Sequence, residues 1–181
     1  FQWSVHKWES IDKEIDDGKS FLKFTDQDIE RQIVENLLEA VCDNGTKSAH
    51  NAKWVEIRIL NLLKNKDSCM DLANKIDKII DRVEDSLILS RMNFYSPKMN
   101  GEWKIKSIIK AIPDCPVSYD GQDNIGGGDE AQLAWFIYTD TKTNNDQRKE
   151  QIKNLLNYCA KDTLALYYLI KFLMNKSNEQ S

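Results

Sequence analysis

The chain has 181 residues, with 29 acidic against 25 basic side chains and a net charge of −4, which excludes the basic footprint of a protein that coats nucleic acid. A metal-dependent nuclease stays open, because its site needs carboxylates and only a local basic rim for phosphate. The 41% hydrophobic content is that of one globular domain, and no apolar run approaches a membrane span.

No basic region followed by an apolar segment points to secretion. Cys42, Cys69, Cys115 and Cys159 form no C-x-x-C pair, and only His6 and His50 add soft ligands. The expectation is therefore reduced thiols in a cytoplasmic protein, and no structural zinc. The chain starts at Phe1 inside an apolar/polar pattern, so it is expected to be trimmed at its N-terminus.

In chain order, residues 1–8 alternate, with Phe1, Trp3 and Val5 against Gln2, Ser4 and His6, which predicts a strand. A polar connection over 9–20 leads to a second short strand with Phe21, Leu22 and Phe24. Thr25 and Asp28 mark a helix start, as hydroxyl cap and first-turn acid. Ile29, Ile33, Val34, Leu37, Leu38 and Val41 carry that helix to Asp43-Asn44-Gly45. A third strand is predicted over 46–50 and helices over 52–63 and 71–83. Residues 84–94 fit strand or helix, and 104–112 form a short helix stopped by Pro113. The segment 113–129 is irregular. Helices return over 130–138 and in a long final segment to about Met174, with 155–173 strongly amphipathic. Strands first and mostly helices after predict an α/β or α+β domain with a small sheet over 1–175, followed by a polar tail over 176–181.

Tyr158 and Asp162 lie four apart on the final helix, about 40° apart around its axis, so they share a face. A phenol beside a carboxylate can place a water and hold a cation, and it also occurs in ordinary helices. Residues 50–56 join a strand to a helix, a place where α/β folds carry ligands; equally, Asn51 is a helix cap there. Asp85 reads as a surface acid. Gly126-Gly127-Gly128 reads as a flexible turn, since no Lys-Ser/Thr follows to complete a phosphate loop. Lys98, Lys104, Lys106 and Lys110 surround Trp103; they form either a solvated face or a rim that touches phosphate and stacks a base.

Taken in order, these segments resemble the DEDD superfamily of 3′–5′ exonucleases, DEDDy type. Within it they are similar to an uncharacterised bacterial domain family often found C-terminal to a PD-(D/E)xK nuclease region. Residues 1–6 look like its second strand. Asn51-Ala52-Lys53-Trp54 with Arg58 resembles its second motif. Asp85-Ser86-Leu87, 101–106 with Ile112-Pro113, and 127–131 resemble further segments. Residues 158–165 resemble the third motif, Tyr-Cys-x-x-Asp-Thr-Leu-Ala. The resemblance implies a ribonuclease H-like mixed sheet flanked by helices, with the first strand missing from this chain. It also implies phosphodiester hydrolysis with two Mg²⁺ or Mn²⁺ ions about 3.5–4 Å apart, acting on a single-stranded end of DNA or RNA. Asp162 would be a metal ligand and Tyr158 would orient the attacking water. Glu56 and Asp85 are further candidate ligands, and Asn51, Trp54, Lys104 and Lys106 candidate substrate contacts.

Two departures are visible. The superfamily's Asp-x-Glu would lie before Phe1, and Val55 occupies the acid position of the second motif, with Glu56 adjacent. The resemblance thus implies hydrolysis by the intact protein, an upstream nuclease region as a neighbour, and no activity from these residues alone. A module that kept the fold and lost the metal site is the alternative, and an interaction domain with coincidental motifs is a third.

Overall fold

A computed structural model describes residues 2–10, 12–24, 27–120, 125 and 127–179. The predicted positions Phe1, Thr25, Gly121 and Gly126 lie outside the described residues.

Alternation at the N-terminus gives β1 (Gln2–Val5), which pairs antiparallel with β2 (Lys19–Leu22), Gln2 opposite Leu22 and Val5 opposite Lys19. Trp3 stacks on Phe21 across the pair, with ring centroids 5.8 Å apart. The connection re-enters β2 at Gly18, whose φ of 75° lies in the left-handed region. A Cβ there would lie 2.6 Å from His6 Nε2. Gly18→Ala is therefore expected to destabilise the protein by about 1–3 kcal/mol through strain and clash together, read as a lower urea midpoint.

Helix α1 (Ile29–Ala40) follows. The predicted first-turn acid, Asp28, instead precedes the helix in a left-handed conformation, φ 62°, with no side-chain cap bond; Asp is among the few residues that tolerate it. Next come β3 (Lys47–Ala49) and α2 (Glu56–Lys64), a 3-10 turn over Asp67–Leu72, then α3 (Ala73–Ile80) and β4 (Val83–Asp85). Strands β3 and β4 pair in parallel, Ala49 opposite Asp85, so α2 and α3 belong to the long crossover that parallel strands require. The single helix predicted over 71–83 ends at Ile80, because Arg82 to Asp85 is drawn into pairing with β3; Lys47 N–H donates to the Arg82 carbonyl at 2.8 Å. Ile33, Val34, Leu60, Leu63, Ile76 and Ile79 form the first core.

The ambiguous 84–94 segment is both elements in succession, β4 and then α4 (Ser86–Asn93). The rest is helical: α5 (Ile105–Ile109), α6 (Gly128–Thr139) and α7 (Asn145–Asn178). Helix α7 starts earlier and ends later than its apolar pattern suggests. Asn144 caps its start by accepting from Gln147 N–H at 2.9 Å, and Lys176 pairs with Glu179 at its end. Its inner face supplies Ala165 and Leu169 to a second core with Met99, Ile108 and Ile109. It also holds β1: Ser4 Oγ donates to the Cys159 carbonyl at 2.7 Å, and the Thr163 hydroxyl bonds Ser4 Oγ at 2.9 Å and His6 Nδ1 at 2.7 Å.

The result is a mixed α/β chain in which the described strands form two separate pairs in place of one mixed sheet. A groove of about 610 Å³ runs between the pairs, lined by Ser4 and His6 on one side, Thr46 and Ser48 on the other, and Leu166 and Ile170 of α7 beneath. Among the described residues no helix is long and apolar enough to cross a membrane.

Candidate functional site

The C-terminal ends of β3 and β4 lie side by side, and the chain leaves both through sharp turns. Asp85 organises them. Its Oδ1 accepts from Leu87 N–H at 2.9 Å, capping α4, and from Asn51 N–H at 2.9 Å, while Lys53 N–H stands 3.5 Å from Oδ2. Asp85 is thus half-buried and structural, in contrast to the surface acid the sequence suggested. Asn51 is not the cap of α2. It takes a left-handed conformation, φ 66°, and residues 51–55 form turns before the helix opens at Glu56.

That delay sets the phase of α2. Val55 is 43% exposed, whereas Glu56 turns inward, and its Oε2 has no hydrogen-bond partner among the described residues. Burial raises the Glu56 carboxyl above its ordinary 4.5; its own backbone N–H partly offsets this, and neighbouring Asp85 adds to the rise. A raised acid stabilises the fold fully below its unfolded value and loses that contribution as pH climbs through the folded one. Glu56→Gln should therefore melt higher than wild type at neutral pH, by roughly 2–4 °C for each kcal/mol recovered. The gap should close below about pH 4, where the unfolded acid is also protonated. Thermal melts across that range check it; a gap independent of pH would contradict it.

From the other side, α7 brings Tyr158 and Asp162. Tyr119 Oη donates to Asp162 Oδ1 at 2.6 Å, and the Tyr158 phenol also bonds this carboxylate. Burial nevertheless raises Asp162, and raises both phenols. His50 feels the charges of Asp85 and Asp162. Its Nε2 lies 2.8 Å from the Trp103 carbonyl, which can only accept, so Nε2 carries the proton and Nδ1 accepts from the Ser86 hydroxyl at 2.9 Å. Burial lowers His50, while the Trp103 carbonyl and the charges of Asp85 and Asp162 pull the other way. Glu56, Asp85, His50 and Asp162 therefore form one electrostatically linked group: Glu56 senses Asp85, and His50 senses both aspartates.

The predicted substrate contacts flank this group. Trp54 is 67% exposed, with Lys53 Nζ 5.9 Å above its ring. Trp103 carries Arg91 at 5.9 Å and Tyr95 at 6.5 Å. Lys106 Nζ lies 3.5 Å from where a Cβ on Gly127 would sit, at the opening of α6. Lys104 is spent on Glu102, 3.8 Å away.

Among the described residues no three His, Cys, Asp or Glu side chains stand together as a ready cage for an ion. Glu56 offers a buried oxygen with no partner among the described residues, and Asp162 a carboxylate whose charge is costly where it sits. Mg²⁺ is commonly held through one or two carboxylates, completed by waters and substrate phosphate.

Sequence reasoning missed Tyr119 and the role of His50. The first lies in the irregular 113–129 segment, where no periodicity forecasts a partner; the second read only as a strand end. The geometry defines an α/β domain with an acidic, half-buried site at the carboxyl ends of parallel strands. Residues 1–104 match the model of a domain of unknown function, DUF2779, and the chain belongs to that family. No curated protein and no solved structure matches it. The matched stretch contains His50, Glu56 and Asp85; Tyr119, Tyr158 and Asp162 lie beyond it.

Proposed function

We propose that the natural protein carrying this chain is a 3′–5′ exonuclease of the DEDDy kind, acting on a single-stranded end of DNA or RNA. The observation that carries this is that His50 feels the charges of Asp85 and of Asp162, which carries the Tyr158 phenol beside it, while Glu56 feels that of Asp85. Asp162 and Glu56, aided by Asp85 Oδ2, would hold Mg²⁺ or Mn²⁺, which supplies charge stabilisation at the phosphate and a more acidic water. The chain's own groups do the rest. The Tyr158 phenol, pushed up and so protonated at neutral pH, orients the attacking water by hydrogen bonding. Trp54 offers exposed ring surface for a terminal base. Lys53, Arg91 and Lys106 supply positive charge for the backbone. Asn51, in its left-handed conformation with its N–H on Asp85, shapes the turn.

The second reading is a non-catalytic module that binds nucleic acid or protein. Val55 at the expected acid position and the want of a three-ligand group among the described residues favour it. Incubating the natural protein with a 5′-labelled single strand and Mg²⁺ or Mn²⁺ separates the two. The exonuclease reading expects a ladder shortening from the 3′ end that chelator abolishes. Retarded but intact strand would point to the module.

A further inference from the structure

Two helices each present an apolar stripe to solvent, and the charges beside the two stripes are opposite. On α2, Val55, Ile59 and Leu62 recur at helical spacing and are exposed, while Leu60 and Leu63 enter the first core. The only acid of that helix, Glu56, turns inward, so its outer side carries cations alone. Lys64 and Lys66 are held by Asp77 at 2.6 Å and by Glu30 at 3.6 Å, whereas Lys53 and Arg58 are exposed. On α6, Leu133 and Phe136 are 60% and 58% exposed. Asp129 lies four residues before Leu133 and Asp140 four after Phe136, both exposed, so one face reads acid, Leu, Phe, acid. The opposite face is occupied: Ala134 is buried with Leu155 of α7. We infer that the α2 stripe of one copy docks on the α6 stripe of a second copy, with Lys53 and Arg58 set against Asp129 and Asp140.

Burying the two stripes against each other removes apolar surface from water, and each stripe is a ridge that seats between the side chains of another helix. The charges then select the pairing. Like on like is unfavourable: α2 against α2 would bring the same cations together, and α6 against α6 the same acids. Only the mixed pairing buries both stripes with opposite charges facing. It joins different surfaces of two copies, a heterologous contact. An anionic membrane would accept the α2 stripe and repel the α6 stripe. The few side chains on each stripe make the association weak and reversible, so it depends on concentration. It requires neither a cation nor nucleic acid and stands apart from the proposed hydrolysis.

Sedimentation velocity of the natural protein over a wide concentration range tests the contact. The wild type is expected to sediment faster as concentration rises. Arg58→Glu alone and the Asp129→Lys/Asp140→Lys double variant alone should each weaken association about tenfold or more. Phe136→Ser, which leaves the helix ends untouched, should weaken it by a similar factor. Mixing the Arg58→Glu protein with the Asp129→Lys/Asp140→Lys protein should restore association, because each then offers the other a stripe of opposite charge. A monomer at every concentration would overturn the inference and assign the stripes to other partners. Association that none of the variants weakens, or that α2 substitutions alone weaken and the mixture fails to restore, would overturn it as well.

Discussion

Asp162→Asn is expected to lower cation-dependent hydrolysis by the natural protein at least about a hundredfold, since groups that merely support a metal ligand are already worth 10- to 100-fold. Its melting temperature should at the same time stay level or rise. The two effects share one cause. Burial raises the Asp162 carboxyl despite the phenols of Tyr119 and Tyr158, so at neutral pH the folded state carries a charge it would hold more easily unfolded. Asparagine keeps the shape and an acceptor for Tyr119 and removes that charge. A residue whose neutralisation costs activity and not stability serves the site; one that merely completed the core would show the reverse. Rates and melting curves on the same two preparations read both. Loss of stability with activity retained would place Asp162 among the structural residues.

Asp85→Ala should show the reverse, a stability loss of about 2–4 kcal/mol, combining a lost helix cap with a backbone N–H left without its acceptor. The carboxylate closes α4 through Leu87 and fixes the β3 exit through Asn51, each at 2.9 Å. Asp85→Asn preserves an oxygen in the same place and should lose clearly less. Urea denaturation of the two variants measures the difference. Equal losses would mean that charge, not the paired hydrogen bonds, is what the turn requires.

Local pattern carried much of this fold. The alternation in β1, the Gly18 turn, the apolar stripe of α1 and the amphipathic α7 are all visible as spacing. Helix α2 shows where such reasoning stops. Val55, Ile59 and Leu62 form one apolar stripe and Leu60 and Leu63 another. The packing buries only the second, leaving the first 43%, 44% and 60% exposed. Nothing in residues 52–63 says which stripe meets Ile33 and Ile76. That choice also decides that Glu56 faces the site while Val55 does not, the point on which the second motif turns.

The site was legible in halves. Tyr158 and Asp162 are neighbours by helical periodicity, so the sequence holds their relation. Asp85 and Asn51 meet only because β3 and β4 pair in register, Ala49 opposite Asp85, and a side chain that accepts backbone N–H groups leaves no periodic trace. Tyr119 reaches Asp162 across 43 residues from a segment without regular structure. Contacts of that kind are set by the packing of α5 and the loop after it onto α7, which no local pattern encodes.

The most direct test of the account is cation binding at Asp162. Manganese added to the natural protein loses its sharp paramagnetic resonance when bound, so free and bound ion can be counted without substrate. Saturable Mn²⁺ binding by the wild type that Asp162→Asn abolishes and Mg²⁺ competes away is the predicted result. Mn²⁺ binding identical in wild type and Asp162→Asn would contradict it.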